Sequence, residues 1–112
     1  MTGDAHEADE TAPTSREDLD AAGLHDWAVQ AGMLRTRLAT GDFATGLRLV
    51  NRIGAAAEAA GHHPDVDLRY PHVDIGLISH DAGKLTARDT SLAREVSAIA
   101  AEEGIGAAPP ED

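Results

Sequence analysis

Apolar residues fall on two periods along this chain, and the switches between them mark out its elements. From Phe43, the positions Phe43, Leu47, Val50, Ile53, Ala57 and Ala60 recur at steps of three and four, the stripe of an amphipathic helix about five turns long. Asp42 stands before it as an N-cap, and Gly61 ends it as a C′ glycine. The period then drops to two. Asp65-Val66-Asp67-Leu68-Arg69-Tyr70 alternates, Pro71 interrupts, and Val73, Ile75 and Leu77 resume on one parity. Proline cannot donate to a strand ladder, so two strands meeting near Pro71, or one bent edge strand, fit this run equally. After Gly83, which allows a turn, Thr86 caps a last helix with Leu92, Val96 and Ile99 on its buried side.

Upstream the pattern is less regular. Ser15 with Asp18 three residues on predicts a short helix from about 16 to 22, stopped by Gly23. Residues 25–40 read two ways. Trp27-Ala28-Val29 and Met33–Leu38 form a hairpin around Gln30-Ala31-Gly32, or a helix runs through 25–39, since Ala, Leu, Met and Arg favour one. We prefer the hairpin. The order is then short helix, two strands, long helix, two strands, helix. This predicts an α+β, two-layer fold: an antiparallel four-stranded sheet with helices packed on one face.

Charge refines the boundaries. The 112 residues carry a formal net charge of −11, but seven acids and one Arg lie in residues 1–20 and four acids with no base in 102–112. The span between is nearly neutral. Residues 1–14 are expected to be a disordered acidic leader, 15–103 the folded domain and 104–112 a disordered tail. With one Trp, one Phe and one Tyr, Leu, Val, Ile and Ala must supply most of the burial. A core of about 90 residues is modest, and a partner subunit often completes one of that size. No Lys/Arg cluster offers a nucleic-acid backbone a basic patch. The absence of cysteine excludes disulfides, thiolate chemistry and Cys-ligated zinc. No apolar run reaches the roughly 20 residues of a membrane span, and the cytoplasm is the expected location.

Among six histidines, three are placed to do chemistry. His62 and His63 follow the end of the long helix, with Glu58 four residues before His62 and within reach of it if the last turn extends that far. Pro64 holds His63 extended, so the first ring is expected over the helix and the second directed outward. His80 follows the alternating strand, beside Asp81, which either orients it or caps the turn. Three histidines can hold zinc, but adjacent histidines rarely both reach one ion. Metal-free general acid–base catalysis suits imidazoles better here, one taking a proton while another protonates a leaving group. Ser79 next to His80 is a poor nucleophile candidate, because adjacent strand residues face opposite ways. A polar cap cluster that binds nothing is the plain alternative for the pair.

Taken together, Glu58-x3-His62-His63-Pro64-x5-Tyr70-x9-His80-x8-Asp89 resembles the signature of the pterin-4a-carbinolamine dehydratases, and the likeness extends over about residues 15 to 101. The resemblance implies an α+β fold with a four-stranded antiparallel sheet. It also implies removal of water from 4a-hydroxytetrahydropterin to give the quinonoid dihydropterin. By matched position, His62, His63 and His80 would be the catalytic and pterin-contacting residues. Glu58 would support His62, and Asp89, preceded by Arg88, would complete the pocket rim or brace it. No metal and no cofactor would be needed, the pterin being substrate, and the assembly would be a homodimer or homotetramer. Two positions depart from the family pattern: Gly83-Lys84 replaces a common Gly-Gly, and Asp65-Val66 replaces an acid followed by Trp. Relatives of this fold also serve as dimerisation cofactors or as assembly factors, and the assembly factors commonly lack part of the histidine set.

Overall fold

The computed structural model describes residues 12–110, so the expected leader, apart from its last three residues, lies outside the described residues. Helix α1 (Arg16–Ala21) starts at Ser15, whose hydroxyl accepts from the Asp18 N–H. The hairpin reading holds: β1 (Ala28–Gln30) pairs antiparallel with β2 (Met33–Ala39). Ala31 and Gly32, both at positive φ, form the two-residue loop between them, the backbone that matches the twist of a tight hairpin.

Helix α2 (Phe43–Ala60) begins at Asp42, which accepts from the Thr45 N–H at 2.7 Å. Strands β3 (Asp65–Leu68) and β4 (Val73–Leu77) follow, separated as Pro71 required, and α3 (Ala87–Glu102) completes the helices. The strand order is β1-β2-β4-β3, all antiparallel. Leu34, Leu38, Val73, Ile75 and Leu77 are buried on one side of the sheet, against Leu49, Ile53 and Ala57 of α2 and Leu92, Val96 and Ile99 of α3. Trp27 is fully buried, and its indole N–H donates to Ser97 Oγ at 2.9 Å, tying the hairpin to α3. The opposite side is polar and carries the two-pronged Arg37–Asp74 ion pair.

Two expectations need correction. The sheet has five strands, because Gly106–Ala108, inside the span read as a frayed tail, forms β5 against Arg37–Ala39 of β2. The end of α3 turns back at Gly104, where the Ile105 N–H bonds to the Ala100 carbonyl at 2.9 Å, and Ile105 and Ala107 then pack on the core. Small residues and acids had hidden that alternation.

The second correction concerns α2. Its inward face is Gly46, Leu49, Ile53 and Ala57, whereas Phe43 and Leu47 are 48% and 47% exposed. Gly46 explains the rotation. A Cβ there would lie 2.7 Å from Leu68 Cδ1 and 3.3 Å from Val73 Cγ2, so the helix meets the sheet through its residue without a side chain. Phe43 and Leu47 are left facing outward.

Candidate active site

Three chain segments meet at one end of this scaffold: the end of α2, the end of β4 and the start of α3. Gly61 ends α2 in the left-handed conformation, φ 64°. Its N–H bonds to the Glu58 carbonyl, and the His62 N–H to the Ala57 carbonyl. This pairing turns the chain sharply and presents the residue after the glycine to the helix it has just left. His62 is thereby carried inward and buried, while His63 stays exposed.

The turn decides which acid each imidazole meets. His62 Nε2 lies 2.6 Å from Asp89 Oδ1, and His63 Nε2 lies 2.5 Å from Glu58 Oε2. The sequence reading set Glu58 beneath His62 by helical spacing. The helix stops before His62, so Glu58 pairs with His63 instead.

Asp89 is completely buried. It occupies the third position of α3 and closes the capping box, taking the Thr86 N–H on Oδ2 at 2.9 Å. Ser79 Oγ donates to the same oxygen at 2.7 Å and lies 2.8 Å from Thr86 Oγ1. Three donors thus converge on one carboxylate, the condition under which a buried acid is tolerated. Of the two roles the sequence left open for Asp89, the geometry is that of a brace behind His62. The sequence reading missed the part played by Ser79, although its parity with Val73, Ile75 and Leu77 already turned it inward.

His80 directly follows Ser79 and is exposed, at the start of a turn in which the Gly83 N–H bonds to the Ser79 carbonyl at 2.9 Å. Asp81 pairs with Arg88 across the same turn, at 2.7 Å. That guanidinium holds the Asp81 carboxyl below its usual range, chiefly through the hydrogen bond. A carboxylate depressed in the folded state favours folding only above its unfolded pKa, and the benefit is lost as pH falls through the lower folded value. Arg88→Gln is therefore expected to return the Asp81 titration to the ordinary carboxylate range. Stability should hardly change, since the pair is exposed; an NMR-monitored acid titration reads the first effect and thermal melting the second.

A groove of about 580 Å³ runs between the second half of α2 and the start of β3, lined by Val50, Asn51, Gly54, Ala55, Ala57, Glu58, His63, Pro64 and Val66. It has an apolar floor with one acid–imidazole pair at its rim, the usual composition of a small-molecule site. His63 reaches it; His62 and His80 are not among its lining residues. A larger cleft, about 760 Å³, lies between α1 and the start of α3 and is lined by none of the three histidines. Among the described residues, no three His, Asp or Glu side chains are grouped closely enough to hold a metal ion, and no helix is long and apolar enough to cross a membrane.

Comparison with known proteins gives the family and the fold. Residues 10–99 match the model of the family described as pterin 4 alpha carbinolamine dehydratase. A relative from Acidobacterium capsulatum, named "Putative pterin-4-alpha-carbinolamine dehydratase", is 41% identical over 78 residues, which are 70% of this chain and 85% of the relative. Among solved structures, a transcriptional coactivator/pterin dehydratase from Brucella melitensis superposes with a TM-score of 0.69 at 25% identity, covering 80% of this chain and 99% of the other. A pterin dehydratase-like protein identified as a RuBisCO assembly factor in the alpha-carboxysome gives 0.57 at 28% identity, over 68% of this chain and 90% of the other. With residues 10–99 matched, a span that takes in α1, the long helix, strands β1 to β4 and most of the last helix, the chain belongs to the pterin-4a-carbinolamine dehydratase family.

Proposed function

We propose that this protein is an active cytoplasmic hydro-lyase that converts 4a-hydroxytetrahydropterin to quinonoid dihydropterin. The observation that carries the reading is the pairing of two adjacent imidazoles with two different carboxylates, one of which also accepts from Ser79, the residue before the third imidazole, His80. In the reaction the C4a–O bond breaks, its oxygen leaves as water after gaining a proton, the N5 proton is lost, and a C4a=N5 double bond forms. No electrons enter or leave, so the chemistry asks for an acid and a base and for no metal or redox cofactor. Imidazoles near neutrality serve in both capacities, each proton transfer contributing about 10²–10⁴-fold.

In this proposal His62, His63 and His80 contact the pterin and move its protons. Glu58 orients His63 and Asp89 orients His62, while Asp81 and Arg88 fix the turn that carries His80. Stopped-flow absorbance of enzymatically generated 4a-hydroxytetrahydropterin tests it. Faster loss of the carbinolamine with the protein than without it is expected; identical rates would exclude the activity.

A protein-binding role on the same fold is the second reading, favoured by one specific feature. Phe43, Leu47, Val66 and Tyr70 are 48%, 47%, 41% and 69% exposed, on α2, on the free edge strand β3 and just after it. Self-association into a homodimer or homotetramer would cover such a surface, and through Val66 it would reach the rim of the groove at His63. Burying one Leu side chain is worth about 1.5–3 kcal/mol. Leu47→Glu is therefore expected to weaken self-association by at least tenfold, read by sedimentation velocity across a dilution series. An unchanged assembly would mean that the surface serves another partner.

A further inference from the structure

The hydrogen-bond network behind His62 has a direction, and the direction assigns its protons. An ionised carboxylate only accepts, so the single Ser79 hydroxyl proton goes to Asp89 Oδ2, 2.7 Å away. With that proton committed, the 2.8 Å contact between Ser79 Oγ and Thr86 Oγ1 is made by the Thr86 proton. Thr86 Oγ1 in turn accepts from the Arg88 N–H at 3.2 Å. Every donor in the chain points toward Asp89. Its other oxygen, Oδ1, therefore takes the proton of His62 Nε2 at 2.6 Å. The His62 side chain keeps only 9% of its surface exposed, and among the described residues its Nδ1 hydrogen-bonds to no protein atom.

We propose that Ser79 is a positioning residue: its hydroxyl fixes the Asp89 carboxylate, which holds His62 with a proton on Nε2 and turns an unprotonated Nδ1 toward the substrate as the base. Ser79 also sits one residue before His80, so the same hydroxyl registers the turn bearing His80 against the start of α3. Ser79 is completely buried and touches no solvent, so its effect reaches the reaction only through Asp89 and the turn. The base assignment rests on the dehydratase reading above; the positioning of the ring does not.

The test therefore has one arm that needs no turnover. In the ¹⁵N-labelled full-length protein, at a pH where the ring is neutral, His62 should show a protonated Nε2, a bare Nδ1 and a slowly exchanging ring N–H. Ser79→Ala should speed that exchange at least tenfold and move the His80 ring signals, and Ser79→Thr, which keeps the hydroxyl, should restore both. Ser79→Cys, close in volume but a weak donor, gives the same reading if the alanine variant does not fold. In the kinetic arm, Ser79→Ala should lower kcat by about 10- to 100-fold, the range of one lost hydrogen bond to a charged group, with KM little changed. A His62 ring with its proton on Nδ1, or an N–H exchange rate indifferent to both Ser79→Ala and Ser79→Cys, would overturn the proposal. Altered exchange in a protein whose wild type does not dehydrate the carbinolamine would instead uphold the positioning and reject the dehydratase reading.

Discussion

Replacing Asp89 with Ala is expected to remove activity and to cost about 3–5 kcal/mol of stability, since three buried donors lose their acceptor at about 1–3 kcal/mol each, partly relieved by relaxation. The size follows from how much depends on that carboxylate. His62 Nε2, Ser79 Oγ and the Thr86 N–H all direct protons at it, and none can turn to water without opening the start of α3. For a domain of about 100 residues, whose total stability is about 5–15 kcal/mol, that loss lowers Tm by on the order of 15–30 °C. Asp89→Asn separates shape from charge. It keeps the volume but offers one acceptor oxygen, and its NH₂ group must face a donor. A smaller loss, about 1–3 kcal/mol, is expected by calorimetry. A melting temperature in Asp89→Ala within a few degrees of wild type would contradict the network.

His80→Ala should behave in the opposite way. Its ring is exposed on a turn closed by backbone hydrogen bonds, so stability should change by no more than about 0.5 kcal/mol. If His80 moves a proton in the reaction, carbinolamine dehydration should slow by about 10²–10⁴-fold. The contrast identifies the roles: a buried residue that supports the fold moves both quantities, and an exposed one that touches substrate moves the rate alone. His63→Ala belongs with His80→Ala, since His63 is also exposed and its Glu58 partner lies at the surface. His62→Ala belongs with the Asp89 variants, because it leaves a buried carboxylate without its imidazole.

Much of this was legible in the order of residues, where local rules act alone. The caps at Ser15, Asp42 and Thr86, the end of α2 at Gly61 and the break at Pro71 depend on neighbours within four positions, and each appears where the sequence placed it. The inward face of α2 was not legible. Two overlapping apolar stripes run along that helix, and the choice between them lies in the fit of Gly46 against Leu68 and Val73, distant in the chain. β5 escaped notice because Gly106-Ala107-Ala108 carries almost no pattern and gains its place from the vacant edge of β2. At the candidate site, the histidines and acids stood out by type and spacing. Their pairing did not: helical spacing joined Glu58 to His62, and a single left-handed residue reassigned it to His63. Ser79 was weighed as a nucleophile beside His80, whereas its hydroxyl faces the interior and Asp89.

The account depends on three imidazoles, from the end of α2 and the turn after β4, serving one pterin. The most direct measurement is a titration of the ¹⁵N-labelled protein with a stable dihydropterin lacking the 4a-hydroxyl, following the ring signals of His62, His63 and His80. All three should move together and fit one dissociation constant. Binding that shifts only residues of the cleft between α1 and α3, or shifts His63 while leaving His62 and His80 still, would contradict it.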